Sequence, residues 1–149
     1  MRISTRGEYG VRAMLDLALH HGQGPISLKT IAERQDISEH YLEQLIASLR
    51  KAGLVTSVRG AQGGYLLAKE PSEIRIGDII RTLEGPIAPM ECVEEDHDSC
   101  VKVERCATRV LWQKLQASME KVLDNTTLAC LCEETLRLKA KDDSFMYHI

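Results

Sequence analysis

The stretch IAERQDISEHYLEQLIASLRKAGLV, residues 31–55, leaves few folds open. Tyr41, Leu42, Leu45, Ile46 and Leu49 recur with helical period, so Glu39 to Lys51 reads as a helix with one buried stripe. Ser38 stands where a cap is needed to accept from unpaired first-turn N–H groups, and Gly53 closes the helix. A shorter helix follows Ser27 through Leu28, Ile31 and Ala32, and Asp36-Ile37 leaves room for only a tight turn before Ser38. Two helices meeting at such a turn make a helix-turn-helix, whose second helix is the one that enters a DNA major groove.

The flanking segments extend this pattern. Val11, Met14, Leu15, Ala18 and Leu19 share one face of a first helix, expected from about Glu8 to His20. Thr5 and Glu8 have the spacing of a capping box, and Gly22 can end the helix. In LVTSVRGAQGGYLLA, Leu54 to Ala68, the residues Val55, Ser57, Tyr65 and Leu67 point to two strands joined through Gly60, Gly63 and Gly64. A short helix over about Ile76 to Leu83 is broken by Pro86 and Pro89. The expected fold class is mainly α with a small β-hairpin: a winged helix-turn-helix followed by a long helix from about Ala107 to Asp124. The stripe Val110, Leu111, Leu115, Met119, Val122 and Leu123 suits that helix to packing against a second copy. A further short helix from about Thr127 carries Cys130 and Cys132. These lie about 200° apart around a helix and read as buried core cysteines. The end, KAKDDSFMYHI, reads as loose.

Charge divides the chain. Residues 1–83 carry eleven Lys/Arg against nine Asp/Glu, and residues 84–149 eight against thirteen, with all five cysteines in the second part. The expected organisation is a DNA-binding head over 1–84, a cysteine-bearing loop over 85–106, and a dimerisation helix with its tail over 107–149. No run of apolar residues is long enough to span a membrane, and MRISTRGEYG is no secretory signal, so a cytoplasmic setting with reduced thiols is expected. No nucleophile–base pairing, phosphate-cradling loop or paired catalytic carboxylates stand out, so the chain does not read as an enzyme.

The DNA-facing residues follow from the fold. The second helix of the motif offers Ser38, Glu39, His40, Tyr41, Glu43 and Gln44. Glutamine can read adenine, glutamate can accept from cytosine N4, and hydroxyls can bind phosphate. The hairpin tip, Arg59-Gly60-Ala61, can set an arginine beside the minor groove or backbone, with glycine permitting close approach.

The loop ECVEEDHDSCVKVERC, residues 91–106, poses the remaining question. It places three thiols among Glu91, Glu94, Glu95, Asp96 and Asp98, whose charge opposes thiolate formation. A bound cation would resolve the conflict.

The chain resembles the Rrf-type family of bacterial winged-helix regulators, with its nearest likeness to the iron–sulfur cluster regulators of the IscR kind. That family also includes NsrR-, RirA- and CymR-like members. The resemblance rests on MRISTRGEYGVRAMLDLA, ISEHYLEQLIASLRKAGLV, SVRGAQGGYLLAKEP and IGDIIRTLEGP, and covers nearly the whole sequence. It implies a homodimeric transcription repressor bound to a pseudo-palindromic double-stranded operator, with the long helix crossing to the partner. It also implies an iron–sulfur cluster on Cys92, Cys100 and Cys106, spaced C-x7-C-x5-C, with iron offsetting the thiolate charge. Zinc and thiol oxidation are the rivals, although structural zinc sites favour shorter cysteine spacings. The resemblance departs at the fourth ligand. Where the IscR pattern has a histidine three residues after the third cysteine, this chain has Arg109. Glu8, placed where some relatives supply an acidic ligand, is the favoured substitute and His97 the other. A 4Fe–4S cluster is the first choice and 2Fe–2S the second. The end FMYHI resembles CymR-like tails, which implies cysteine synthase as a further partner docked through Ile149.

Overall fold

The computed structural model describes residues 2–94 and 105–147. Among them are six α-helices and one hairpin, in the order α1 (Thr5–Leu19), α2 (Leu28–Gln35), α3 (Glu39–Lys51), β1 (Val55–Val58), β2 (Gly64–Leu67), α4 (Ile76–Glu84), α5 (Ala107–Asn125) and α6 (Leu128–Tyr147). The winged helix-turn-helix expected from the sequence is therefore present.

Local chemistry sets the boundaries. Ser27 and Ser38 cap α2 and α3, each accepting from a backbone N–H of the first turn, at Thr30 and Tyr41. The turn between these helices passes through Asp36 at φ 53°, the left-handed region that Asp tolerates better than most residues. Ile37 then returns its N–H to the Ala32 carbonyl. The capping box expected from Thr5 and Glu8 does not form. Ser4 is the cap, its hydroxyl accepting from Gly7, and α1 starts at Thr5. The shift leaves the Glu8 carboxylate exposed.

The hairpin pairs Val55 with Leu67 and Val58 with Gly64 in antiparallel register. Tyr65 makes two further backbone bonds to Ile26, which fasten the wing to the segment entering α2. A Cβ on Gly64 would stand 2.3 Å from the Ile26 carbonyl oxygen, so this contact requires glycine.

One core joins the head. Met14 of α1, Ile31 of α2, Leu42, Leu45, Ile46 and Leu49 of α3, and Ile79 of α4 are almost wholly buried. Leu128, the first residue of α6, is buried in the same cluster. The corner between α5 and α6 is also bonded to the head. Ile76 N–H donates to the Thr126 carbonyl at 2.9 Å, and Leu128 N–H to the Ile74 carbonyl at 3.0 Å. The chain after the cysteine loop thus returns to the head, and the first half of α6 packs there too, with Leu131 and Cys132 against the core.

Two expectations about the end of the chain are corrected. The short helix from about Thr127 and the expected loose tail as far as Tyr147 are one helix of twenty residues, α6. Apart from Thr135, Glu133 to Lys141 consists of Glu, Leu, Arg, Lys and Ala, all strong helix formers, with no Gly or Pro to stop propagation. Arg137 and Glu134 pair one turn apart on its surface. The second correction concerns Cys130, which is exposed in the first turn of α6 rather than buried; Cys132 is half-buried. Their angular separation sends only one of them towards packed side chains.

Candidate nucleic-acid interface and cysteine loop

The outward face of α3 exposes Glu39, His40, Glu43 and Gln44, with Ser38 exposed at its cap. The Gln44 amide donates to His40 Nε2 at 3.3 Å, so the two side chains form one polar unit. Tyr41 is half-buried rather than part of the closed stripe. Its ring meets Tyr9 edge-on, with centroids 6.1 Å apart, and its hydroxyl lies 3.4 Å from Thr5 Oγ1. At the wing tip Arg59, Gly60 and Ala61 are exposed, and Gly60 turns at φ 114°, a conformation that favours glycine. Arg50, near the end of α3, bonds the Ser57 hydroxyl of β1 at 3.4 Å and ties the reading helix to the wing. The structure thus puts Ser38, Glu39, His40, Glu43 and Gln44 on one projection of the head and Arg59, Gly60 and Ala61 on its neighbour, with the Tyr41 ring turned towards α1.

A network that the sequence reading missed supports α2. Asp16 of α1, only 3% exposed, accepts from Arg34 Nη2 at 2.7 Å, Arg34 Nε at 3.2 Å and Gln35 Nε2 at 2.9 Å. Arg12 donates to the Gln35 carbonyl at 2.6 Å and lies over the Tyr9 ring. His20 bonds the Asp16 backbone carbonyl through Nδ1, leaving Nε2 to accept from Arg34. The available signal was an aspartate among the buried residues Met14, Leu17 and Ala18 of α1.

Of the expected metal ligands, Cys92, Cys106 and Glu8 are described; Cys100 and His97 lie outside the described residues, as does Ile149. Cys92 is half-buried in a short 3-10 turn, Glu91–Val93, and Cys106 occupies the cap position of α5. Both are free thiols. The Thr108 hydroxyl, 3.1 Å from the Cys106 sulfur, is the largest influence holding that thiol below its ordinary pKa; the Arg109 backbone and charge act in the same direction. Arg109 reaches across to the turn, its Nε donating to the Cys92 carbonyl at 3.2 Å. Two cysteine-bearing segments are therefore joined through one side chain. Two reduced thiols, one biased towards thiolate, are the donor type a thiophilic cation takes, while no group of three His, Cys, Asp or Glu among the described residues stands close enough to hold a metal.

Fold and surface together define a winged-helix transcription regulator. More narrowly, the chain belongs to the Rrf2 family, described as an iron-dependent transcriptional regulator, which it matches over residues 3–134. It is 48% identical to the HTH-type transcriptional regulator CymR of Bacillus subtilis over 149 residues, the full length of both chains. The solved structure of CymR, described as the global cysteine regulator of B. subtilis, aligns with TM-score 0.78 and 52% identity over 90% of this chain and 98% of that one. The structure of T. potens IscR aligns with TM-score 0.75 and 54% identity over 91% and 88%. Transcription regulation and DNA binding follow from this membership, and the homologues are not enzymes. No helix among the described residues is long and apolar enough to cross a membrane.

Proposed function

We propose that this protein is a homodimeric repressor that reads iron–sulfur cluster, iron or redox status through a cluster held by Cys92, Cys100 and Cys106. The observation that carries the reading is the Arg109 link, which holds the Cys92 turn against the helix that Cys106 precedes. When bound, the cluster would supply a redox- and iron-sensitive charge that thiolates can hold. The chain's residues do the rest. The three cysteines ligate, Glu8 supplies an oxygen from the partner subunit, with His97 the other choice, and the loop transmits its state to α5. Glu8 suits this role because Ser4 has taken over the cap and left the carboxylate exposed. The cluster is 4Fe–4S by preference, with 2Fe–2S the alternative.

Dimerisation is supported by α5. Val110, Leu111 and Val122 are 50%, 55% and 65% exposed in the single chain, an apolar stripe that a partner would cover. We take residues 1–84 as the head, 85–106 as the sensor loop and 107–149 as the dimerisation element. Two heads on one dimer would address a pseudo-palindrome, with Ser38, Glu39, His40, Tyr41, Glu43 and Gln44 in the major groove and Arg59, Gly60 and Ala61 at its edge.

Anaerobic purification with visible absorption and iron and sulfide analysis tests the cluster. Colour and both elements in the wild type, lost in Cys92→Ala, Cys100→Ala and Cys106→Ala, would support it. A colourless protein after reconstitution would reject it and turn attention to zinc or thiol oxidation.

A second reading is favoured by the full-length likeness to CymR: regulation of cysteine metabolism through a complex with cysteine synthase, docked by Ile149. Titration of cysteine synthase with the wild type and with a variant lacking Ile149 decides it. Binding lost on deletion supports the complex; absence of wild-type binding removes it.

A further inference from the structure

Gln116 lies two turns after Arg109 along α5 and presents to the same side of the helix. Its Nε2 donates to two carbonyls of the segment that carries Cys92, that of Ile87 at 3.1 Å and that of Val93 at 3.0 Å. Ile87 and Val93 are buried and the two bonds are themselves part-buried, so water replaces a lost donor only in part. Arg109 binds the carbonyl between them in sequence, that of Cys92. Three carbonyls of one short segment are thus held by two side chains of one helix.

We propose that Arg109 and Gln116 form a clasp that sets the position of Cys92 before any cluster is bound, and so governs how long a cluster is kept. The second half of this statement rests on the cluster reading above; the first half does not. Arg109 serves the backbone of a residue that the cluster reading makes a ligand. It is a positioning residue, as is Gln116. A ligand that is already placed loses less conformational freedom on binding, and its release requires the clasp to open or the turn to deform.

The test uses the full chain with Gln116→Glu and Arg109→Lys. The first keeps the shape of residue 116 but replaces its donor with an acceptor facing two carbonyls. The second keeps the charge of residue 109 and removes the Nε donor. In the cluster-free protein, backbone hydrogen exchange over 87–94 should quicken about thirtyfold in Gln116→Glu, the size of the two lost bonds at about 1 kcal/mol each, with α1–α3 unchanged. Alkylation of Cys92 should quicken relative to Cys130 in the same sample. In the loaded protein, visible absorbance should decay faster in air in both variants. Unchanged exchange over 87–94 in both variants overturns the clasp. Faster exchange with unchanged decay overturns its control of the cluster. A wild type that never takes up a cluster rejects the cluster reading, and exchange in the cluster-free protein still decides the clasp. If Gln116→Glu does not fold, Arg109→Lys carries the same comparison.

Discussion

Asp16 accepts from Nε and Nη2 of Arg34 while remaining 3% exposed, so a buried carboxylate on α1 fixes the helix that precedes the reading helix. The pair spans the surface, since the Arg34 side chain is 38% exposed. Asp16→Ala would strand Gln35 and Arg34 beside an apolar pocket and should cost about 3 kcal/mol, towards the low end for breaking a buried pair because Arg34 retains water. Arg34→Ala leaves Asp16 buried with Gln35 as a remaining donor, and should cost a comparable amount. Urea denaturation measures both. A loss below about 0.5 kcal/mol for Asp16→Ala would show the network to be dispensable.

Arg81 and Asp124 make the corresponding bond between α4 and α5, with two hydrogen bonds of 2.8 and 2.7 Å. The Arg81 hydrogen bond holds the Asp124 carboxyl below its ordinary 3.8, with burial opposing and the Arg81 charge assisting. A depressed carboxylate contributes fully above the unfolded value and loses its contribution as pH falls through the lower folded value. The urea midpoint should therefore drop as pH falls below about 4, and less steeply in Asp124→Asn. Equal slopes would mean that the pair does not couple to folding.

The same contact constrains Gly77. A Cβ there would lie 1.9 Å from Asp124 Oδ1, and Arg81 would be crowded as well. Gly77→Ala should displace Asp124, break the ion pair and destabilise the fold by about 1–3 kcal/mol, despite alanine's better helix propensity. A stabilised Gly77→Ala protein would show that α4 and α5 separate at little cost.

Thiol reactivity separates the cysteines. Thr108 lowers Cys106, Thr127 lowers Cys130, and burial raises Cys132. Lower pKa gives more thiolate near neutral pH, so iodoacetamide should label Cys106 and Cys130 before Cys132 in the reduced, cluster-free protein. Mass spectrometry of timed samples reads the order, and early labelling of Cys132 would contradict it.

These contacts show where sequence was sufficient. Period and caps placed α2, α3 and the hairpin, because Ser27, Ser38 and the glycines act within a few residues of themselves. Glu8 was assigned to the wrong partner because two hydroxyls, Ser4 and Thr5, compete for one cap, and nothing local separates them. Arg109 and Gln116 were illegible for a different reason. Their acceptors are backbone carbonyls 17 to 29 residues away, and a carbonyl has no side-chain signature. The tail differs from the expectation because a terminal position says nothing of helix propensity, and α6 runs on to Tyr147 through residues that favour a helix.

DNA binding gives the last prediction. Arg59 is exposed at the wing tip and Glu43 on the outward face of α3, so the two should fail differently. Arg59→Ala removes a phosphate or minor-groove cation. It should weaken binding to all sequences alike and reduce the slope of log affinity against log salt by about one. Glu43→Ala removes an acceptor that meets only certain bases. It should leave the salt slope unchanged and compress the gap between preferred and altered operators by about 1–3 kcal/mol at the contacted position. Titrations at two salt concentrations against both operators give the full comparison. If Arg59→Ala changes discrimination while Glu43→Ala changes only the salt slope, the roles of wing and reading helix are reversed.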